Sequence, residues 1–533
     1  MIIKKNIQFL LKYYPASISG LFLTLSFPDS NIACLAFFAL IPLLVSIQSM
    51  THKESFYAGL ITGITFFLTL IYWIVPTIHV YGGLHLILAF GVLTLLCLYL
   101  ALYPAVFAFT LRKLRYGLYM PLLAACIWTG LEYIRTYAFT GFSWGTLGYS
   151  QYENLALIQI ADFTGVYGIS FLIILINSSL AVLYMNLKKK KTGQYIIPVI
   201  YTTALVIGAY IYGSQKINDI DSQIKKAEKT TISIIQGNIK QDLKWSDEFK
   251  IHTIEKYIQL SENQIKNNPD LVIWPETALP FYYGFDRVLS NHVNRCVKSS
   301  KTHFLIGSPA FELDKEYTRF YNRAYMLDGF ANITGTYDKN HLVPFGEYVP
   351  FGDYLTFLGK ITAQAGNFSA GDQAFLPLEF NNHNLKATRN LKVIHNLEVT
   401  RKTGVLICFE ILFPSISSKF VKNGADILTT ITNDAWFGQS SAAMQHFSIA
   451  VFRAVENRRT LARAANTGIS GFIDPKGKII ETTSLFKDTA ITRQVPILNS
   501  LSFYTMHGDV FAIGSILVTL AILVWIFVLR KFT

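Results

Sequence analysis

The sequence predicts a multi-span α-helical membrane bundle joined to an α/β domain, and three observations support this. Charged residues make up only 15% of the 533 residues, against roughly 25% in ordinary soluble domains. Eight apolar segments approach the length needed to cross a bilayer. Five short runs rich in β-branched residues fall between the last two of these segments. We therefore expect a helical bundle in the membrane and an α/β domain that folds outside the bilayer.

The apolar segments divide the chain into three regions. A seven-span bundle is predicted over 1–213, an α/β catalytic domain over 214–509, and an eighth helix with a short tail over 510–533. The predicted spans cover residues 12–27, 31–49, 55–76, 84–110, 118–135, 165–187, 195–213 and 510–529.

Basic residues next to these spans orient the chain. All of them fall on one side of the membrane if the N-terminus is cytoplasmic, as the positive-inside rule requires. Both termini are then cytoplasmic and the catalytic domain lies outside, which in a bacterium places it on the periplasmic side of the inner membrane. The flanking basic residues are Lys4, Lys5, Lys53, Arg112, Lys113, Arg115, Lys188, Lys189, Lys190, Lys191, Arg530 and Lys531.

Charge and cysteine content exclude several classes of function. The formal charge of +13 does not predict a nucleic-acid partner, because the basic residues flank apolar segments instead of forming a recognition motif. The five cysteines include no close pair, which argues against a disulfide framework. No cysteine or histidine spacing is typical of a zinc site, so we expect no metal.

The outer domain shows the pattern of an α/β fold. Helix-like stretches at 248–267 and 441–464 lie among the apolar runs. Polar candidates follow these runs directly, where α/β sheets commonly place their sites. The predicted strands cover residues 232–235, 271–273, 304–306, 405–407 and 427–431.

Three polar side chains in unusual local sequences are the catalytic candidates. Glu276 follows Trp274-Pro275, Lys339 opens a loop rich in proline and glycine, and Cys408 follows an apolar run. A carboxylate, an amine and a thiol can serve as base, oxyanion stabiliser and nucleophile. Each alone has a simpler interpretation, since buried cysteines are common and single glutamates and lysines usually lie in solvated loops. Their combination favours catalysis.

Further residues near these three are candidates for support or for substrate binding. Glu347 lies where its loop can return toward Lys339, and Glu410 follows Cys408 by two residues. The aromatic loop 345–368 could form a gate for lipid tails, although ordinary loop packing explains it equally well. Its candidate gate residues are Phe345, Tyr348, Phe351 and Phe357. Two further candidates for substrate binding, Trp436 and Phe437, are expected to form a pocket wall or core.

The ordered motifs resemble the apolipoprotein N-acyltransferase family, a membrane branch of the nitrilase superfamily. The resemblance covers almost the whole chain. It rests on Gly141-Phe142-Ser143-Trp144, Gly148-Tyr149-Ser150-Gln151, Gly165 to Phe171, Gln236-Gly237-Asn238, Trp274 to Thr277, Lys339 to Pro350, Cys408-Phe409-Glu410, Asn433 to Gly438, Gln445-His446 and Ala465 to Ser470.

The resemblance implies a nitrilase-like α-β-β-α sandwich and a role for each candidate. Glu276 is then the general base, Lys339 stabilises the oxyanion, and Cys408 carries the acyl group. Glu347 matches an additional carboxylate of the family. Glu410 and Trp245 match functionally important residues, and Phe409 stands where the family often has tyrosine.

The resemblance also implies the reaction. The family takes an acyl chain from a phospholipid, usually from sn-1 of phosphatidylethanolamine. It passes this chain through a cysteine thioester to the α-amino group of a diacylglyceryl-modified apolipoprotein. We accordingly expect a phospholipid donor, an apolipoprotein acceptor, contact with membrane lipid, no cofactor and a monomer.

Two other functions remain open at this point. A membrane-anchored amidase or nitrile hydrolase could use the same three residues with water as acceptor, although seven preceding spans exceed what an anchor needs. A transporter or scaffold with an inactive domain is disfavoured by the intact triad and by the few ionisable residues within the spans. The basic stretch 381–403 is read as an insertion, either a solvated hairpin or an arm that contacts headgroups.

Overall fold

A computed structural model describes residues 2–114, 117–188, 194–241, 244–313, 317–348, 368–382 and 399–527. The chain divides into two compact units. The first comprises Met1–His79, His85–Ile217 and His507–Thr533, and the second comprises Val80–Leu84 and Asn218–Met506.

The first unit is helical throughout its described part. Short 3-10 turns join several of its helices. Its helices are α1 (Ile2–Leu25), α2 (Ile41–Ser46), α3 (His52–Leu70), α4 (Ile74–Pro76), α5 (Leu86–Lys113), α6 (Met120–Tyr137), α7 (Leu155–Ile158), α8 (Ala161–Thr164), α9 (Val166–Lys188), α10 (Ile197–Lys226, whose last residues belong to the second unit) and, near the C-terminus, α16 (Val510–Phe527).

Three helices of the described chain, α5, α9 and α10, are long and apolar enough to cross a membrane. A fourth span results if α3 and the Ile74–Tyr81 segment count as one helix bent by 59°. The predicted count of eight is therefore not confirmed. Helix α6 is not among these spans, and a physical reason is that Glu132 and Arg135 lower the mean hydropathy of its 18 residues.

The predicted span 31–49 consists of short helical pieces and is shorter than a full span in the described structure. The chain there forms a 3-10 turn at Ala33–Phe37, then α2, then a second turn at Ile47–Ser49. Pro42 lies in the first turn of α2. Proline lacks a backbone N–H and favours the start of a helix over its interior, which fits the break before α2.

Small residues hold α3 and α5 together. A side chain at Gly59 would place its Cβ 2.3 Å from the Pro104 carbonyl oxygen, and one at Gly63 would lie 2.6 Å from the Ala101 Cα. The four-residue spacing of the two glycines puts both on one face of α3. The two backbones can therefore approach closely.

A buried polar pair on α6 fixes the loop that follows it. Glu132 Oε1 accepts a hydrogen bond from the Leu147 amide at 2.8 Å. Arg135 donates to the Trp144 carbonyl at 3.0 Å and to Thr146 Oγ1 at 3.3 Å. These contacts hold in place the loop that carries the Gly141 to Gln151 motifs.

The second unit contains two six-stranded sheets. The first has strand order β12-β1-β2-β3-β4-β5 and the second β11-β10-β9-β8-β7-β6. The strands are β1 (Lys229–Gln236), β2 (Leu271–Ile273), β3 (His303–Leu313), β4 (Thr318–Leu327), β5 (Ile333–Asp338), β6 (Leu378–Asn382), β7 (Val399–Ile407), β8 (Ile427–Thr432), β9 (Leu461–Ala465), β10 (Gly471–Ile473), β11 (Ile479–Thr482) and β12 (Thr489–Pro496).

Helices cover the outer face of each sheet. The helices α11 (Asp247–Ile265) and α12 (Arg287–Ser300) belong to the first sheet, and α13 (Pro414–Lys422) and α14 (Ala442–Asn457) to the second. A short helix, α15 (Phe503–His507), follows the last strand. This arrangement confirms the predicted α-β-β-α sandwich.

The centre of each sheet is parallel and its margins are antiparallel. Strands β1, β2 and β3 run parallel, as do β7, β8 and β9. Every residue of β2, β8 and β9 is buried. Strands covered on both faces read as continuous apolar runs, which is why the five predicted strand segments lie within β1, β2, β3, β7 and β8.

The predicted helix over 441–464 is too long. Helix α14 ends at Asn457, and Arg458 follows in the left-handed conformation with φ 52°. That conformation terminates a helix, and the chain continues as the buried strand β9.

The basic stretch 381–403 is described only at its two ends. Asn381 and Asn382 close β6, and Val399 to Thr403 open β7, which pairs with β6 antiparallel. Residues 383–398 lie outside the described residues, so the choice between hairpin and headgroup-contacting arm stays open.

Candidate active site

Three catalytic candidates each follow directly or closely after a strand. Glu276 lies three residues beyond β2, Lys339 follows β5, and Cys408 follows β7. Two of these strands belong to one sheet and the third to the other. The sandwich thus brings together side chains that are far apart in the sequence.

Glu276 is buried and held by two hydrogen bonds and an ion pair. Its Oε1 accepts from Asn322 Nδ2 at 2.7 Å and lies 3.6 Å from Lys339 Nζ. Its Oε2 accepts from the Asn433 backbone amide at 2.8 Å. A carboxylate fixed at both oxygens is well placed to act as a base of defined orientation.

Lys339 is almost fully buried between two carboxylates. Its Nζ lies 2.9 Å from Glu347 Oε1 and 2.8 Å from Glu347 Oε2, besides its contact with Glu276. Burial acts to lower the pKa of Lys339, but Glu347 and then Glu276 outweigh burial and leave this pKa above its ordinary value. The amine is therefore a permanent cation.

Glu347 is anchored by its own loop. Its Oε2 accepts from the Val343 amide at 2.8 Å, and its Oε1 also accepts from Asn322 at 3.1 Å. The loop between Val343 and Tyr348 thus folds back onto Lys339, as the sequence predicts for this carboxylate. Asn322 bridges the two carboxylates that flank the lysine.

Cys408 has a strained backbone, with φ 53°. A non-glycine residue in this region costs on the order of 1–3 kcal/mol and persists only where its surroundings impose it. Burial, and then the charge of Glu276, raise the pKa of the Cys408 thiol, while Lys339 lowers it less. The resting thiol is therefore protonated and close enough to both partners for their charges to act on it.

Glu410 ties the cysteine turn to the lysine loop. Its Oε2 accepts from the Ile407 amide at 2.7 Å. Its Oε1 accepts from Tyr337 Oη at 2.7 Å and from the amides of Asn340 and His341 at 2.8 and 3.1 Å. Burial raises the pKa of Glu410 to about 7 against the effect of these donors. Its contacts are those of a positioning residue.

We expect the Glu410→Gln variant to be less stable than the parent. A glutamine offers one acceptor oxygen, so buried N–H groups lose a partner, at about 1–3 kcal/mol of unfolding free energy. The melting temperature of the purified full-length protein should fall by several degrees. The control is Glu379→Gln, which removes an exposed contact with Lys402 and should change stability by less than about 0.5 kcal/mol. Equal melting temperatures for the two variants would contradict this role.

Phe409 packs beside the cysteine turn. Its ring centroid lies 5.9 Å from that of His341 and 5.5 Å from that of Phe413. His341 in turn lies 3.7 Å from Phe413. The side chain therefore stabilises the turn by ring packing and offers no hydroxyl to the site.

A second buried lysine, Lys244, contacts the residue that follows Glu276. Lys244 Nζ donates to Thr277 Oγ1 at 3.1 Å, and Thr277 directly follows Glu276. Burial lowers the pKa of Lys244 to about 8, although Glu276 acts in the opposite direction. The neighbouring Trp245 is half exposed, and none of the described contacts joins it to the triad, so its functional role stays a prediction.

The candidate gate residues are described only in part. Phe345 is half exposed, and its amide donates to the Tyr348 carbonyl at 2.8 Å. Phe351 and Phe357 lie outside the described residues. A gate in this loop therefore remains a prediction.

The two predicted wall residues pack within the second unit. The Trp436 ring lies 5.7 Å from that of Tyr81, which belongs to the short Val80–Leu84 segment of this unit. The Phe437 ring lies 6.1 Å from that of His446. Both side chains are only partly buried, so their role as pocket wall or core stays a prediction.

Sequence reasoning missed three residues that complete the site. Asn322 lies on β4, a strand without the continuous apolar run of a central strand. The sequence around Lys244 contains no pattern that points to a site, apart from its neighbour Trp245. Asn433 lies in a motif that was recognised, but it acts through its backbone amide, which no residue pattern reveals.

The arrangement is suited to acyl transfer through the sulfur. A thiol, a fixed carboxylate and a cation at one site are the groups that a nucleophile, a base and an oxyanion stabiliser require. Such a site can attack an ester or an amide.

Two family descriptions match the chain. The apolipoprotein N-acyltransferase N-terminal domain matches residues 19–179, and the carbon-nitrogen hydrolase family matches residues 231–498. The second match covers both sheets nearly completely and includes all three catalytic candidates.

Curated relatives extend over nearly the whole chain. An apolipoprotein N-acyltransferase of Geobacter metallireducens is 39% identical over 94% of this chain and 92% of its own length. One of Pasteurella multocida is 30% identical over 95% and 94%. A solved carbon-nitrogen hydrolase from Helicobacter pylori aligns with 53% of this chain and 94% of its own, at 15% identity and a TM-score of 0.38. The chain therefore belongs to the apolipoprotein N-acyltransferase family, with a carbon-nitrogen hydrolase domain as its second unit.

Proposed function

We propose that this chain transfers an acyl chain from a phospholipid to the α-amino group of the N-terminal diacylglyceryl-cysteine of apolipoproteins. The donor is phosphatidylethanolamine, acylated at sn-1, and the intermediate is a thioester on Cys408. The observation that carries the proposal is the buried Lys339, which contacts both Glu276 and Glu347 at one site with the protonated thiol.

In the first half-reaction Glu276 takes the thiol proton while the Cys408 sulfur attacks the ester carbonyl. Lys339 stabilises the negative charge that develops on the carbonyl oxygen. As the tetrahedral intermediate collapses, the C–O bond breaks and Glu276 returns the proton to the leaving lysophospholipid oxygen. The products are a thioester on Cys408 and a free alcohol. Because the thiol is protonated at rest, proton removal accompanies the attack.

In the second half-reaction the neutral α-amino group attacks the thioester carbonyl. Lys339 again faces the developing oxyanion, and Glu276 accepts a proton from the amine nitrogen. The C–S bond then breaks, an amide forms, and the proton passes from Glu276 to the sulfur. The enzyme returns to its starting state, so the two displacements follow a ping-pong order. No cofactor takes part, because the donor ester is already activated.

The same proposal places the protein in the bacterial inner membrane. Its support is the set of apolar helices together with the basic residues that flank the predicted spans. The termini are cytoplasmic, the carbon-nitrogen hydrolase unit is periplasmic, and a single chain suffices because all three catalytic residues come from it.

An acyl-transfer assay with the purified full-length protein tests the proposal. The donor is phosphatidylethanolamine with a labelled chain at sn-1 or at sn-2, and the acceptor is a diacylglyceryl-cysteine lipopeptide. The label at sn-1 should appear on the peptide as a hydroxylamine-stable amide, with an equal amount of lysophospholipid. An acceptor whose amine is acetylated is the control and should stay unlabelled.

Two results would contradict the proposal. Release of labelled fatty acid at the same rate with and without the acceptor would indicate a hydrolase, with water as second substrate. No consumption of any phospholipid by folded protein would exclude a lipid acyl donor.

A further inference from the structure

A buried polar cluster lies behind the nucleophile and is not used in the acyl-transfer steps. It consists of Asp434, in the 3-10 turn after β8, His446 on α14 and Arg463 on β9, each at most 1% exposed. Arg463 donates to Asp434 Oδ2 at 2.8 Å, and Thr432 donates to Asp434 Oδ1 at 2.9 Å. The cluster reaches the active site through His446, whose Nε2 lies 3.3 Å from the Cys408 carbonyl oxygen.

The contacts of His446 fix the role of one ring nitrogen, Nε2. The Cys408 carbonyl can only accept, so Nε2 must donate to it. The other nitrogen, Nδ1, lies 3.0 Å from an Arg463 nitrogen, which can only donate, and 3.1 Å from Asp434 Oδ1. Burial, and then the charge of Arg463, lower the pKa of His446. A hydrogen on Nε2 satisfies the carbonyl, while Nδ1 lies between a donor, Arg463, and an acceptor, Asp434 Oδ1.

The position of Asp434 is itself fixed by close packing. A Cβ added at Gly468 would lie 2.1 Å from Asp434 Oδ2 and 2.7 Å from the Asp434 Cβ. Only glycine leaves the space that Asp434 occupies. Arg463 is held in turn through its Nε, which donates to the Ile469 carbonyl at 3.1 Å, so the imidazole packs against two fixed partners.

The cysteine turn requires such support. Cys408 has φ 53°, which a residue with a side chain does not adopt without restraint. On its N-terminal side the Ile407 amide is held by Glu410 at 2.7 Å. On its C-terminal side the Cys408 carbonyl is held by His446. The two contacts restrain the nucleophile from both sides.

We propose that His446 is a positioning residue of the acyl-transfer reaction: its Nε2–H fixes the Cys408 carbonyl, and so keeps the thiol in the orientation that Glu276 and Lys339 require. This inference rests on the proposed function for its catalytic consequence. It assigns to the Asp434–His446–Arg463 cluster the task of supporting the strained nucleophile. The cluster does not exchange protons with the substrate.

Two amide variants separate the position of the side-chain N–H donor from the mere presence of a polar side chain. In His446→Gln the side-chain nitrogen can take the place of Nε2 and donate to the Cys408 carbonyl. In His446→Asn the shorter side chain can only occupy the place of Nδ1, between Asp434 and Arg463. Both variants are tested in the full-length protein, with melting temperature as the measure of folding.

The first readout is the single-turnover rate of acyl-enzyme formation from phosphatidylethanolamine. We expect His446→Asn to lower this rate by about 10–100-fold, since a displacement of about 1 Å at a reacting atom has effects of this size. His446→Gln should stay within about fivefold of the parent. The phospholipid concentration at half-maximal rate should change little in either variant, because the substrate does not contact the cluster.

The second readout is independent of the acyl donor. The rate of Cys408 alkylation by N-ethylmaleimide, measured by mass spectrometry of the Cys408 peptide, should also be altered in His446→Asn and largely restored in His446→Gln. If the parent protein forms no acyl-enzyme, the proposed function fails while this readout still tests the positioning role. The inference would be overturned if His446→Asn and His446→Gln had the same alkylation rate and the same acylation rate. Rate losses that follow melting temperature alone would overturn it as well.

Discussion

Replacement of Cys408 by alanine is expected to abolish acyl transfer completely. The variant has no sulfur to carry the acyl group, so neither lysophospholipid release nor peptide acylation should exceed background, a loss on the order of 10⁴-fold or more. Both half-reactions should be lost together, because the thioester links them. Donor consumption and peptide acylation, measured in the same reaction, provide the check.

The matched control is Cys296→Ala. Cys296 is a buried cysteine of the same unit and lies on α12. Its thiol has no part in the site, so transfer should stay near the parent rate even if the cavity lowers stability. Residual phospholipid turnover by well-folded Cys408→Ala protein would mean that another group attacks the ester.

The Lys339→Met variant is expected to lose acyl-enzyme formation while the thiol remains. The methionine removes the cation that faces the developing oxyanion, which lowers the rate by about 10²–10³-fold or more. It also leaves Glu276 and Glu347 near each other without their shared cation. The burst of lysophospholipid release on mixing with phosphatidylethanolamine measures this step.

Folding must be separated from catalysis in this variant, because unpaired buried carboxylates destabilise a protein. The double variant Lys339→Met with Glu347→Gln removes one of the two charges and should regain melting temperature without regaining rate. Lys402→Met is the surface control, since Lys402 forms only an exposed ion pair with Glu379. An undiminished burst in Lys339→Met would exclude the oxyanion role.

The sequence predicted the centre of the sandwich well and its margins poorly. The runs in β1, β2, β3, β7 and β8 are apolar because both faces of those strands are buried. Strands β4, β5 and β11 carry exposed residues that interrupt such runs. Strand β9 was missed for another reason, because its Leu461-Ala462-Arg463-Ala464-Ala465 sequence continues the helical pattern of α14.

The candidate site was predictable where the chemistry lies in a side chain with a distinctive neighbourhood. Glu276, Lys339, Cys408 and Glu347 were all identified in this way, and the structure brings them together. The residues that hold these four in place were not predictable, because they act through tertiary contacts. Asn322 joins two carboxylates from a neighbouring strand, and His446 reaches a backbone carbonyl 38 residues away.

The membrane part is the least defined by pattern alone. Segments such as α6 carry charged residues that serve local hydrogen bonds, as Glu132 and Arg135 do for the loop at Trp144 and Leu147. These charges lower hydropathy without excluding membrane insertion. The number of spans therefore stays a prediction, which depends on the basic flanks as much as on apolar length.

The most direct test of the central claim is intact-protein mass spectrometry of the purified enzyme after incubation with phosphatidylethanolamine. We expect one added acyl mass, located on Cys408, removed by hydroxylamine, and lost as triacylated peptide forms when a diacylated lipopeptide is added. An adduct that water removes at the same rate without the peptide would contradict acyl transfer. An acyl mass on any other residue would contradict the assignment of Cys408 as nucleophile.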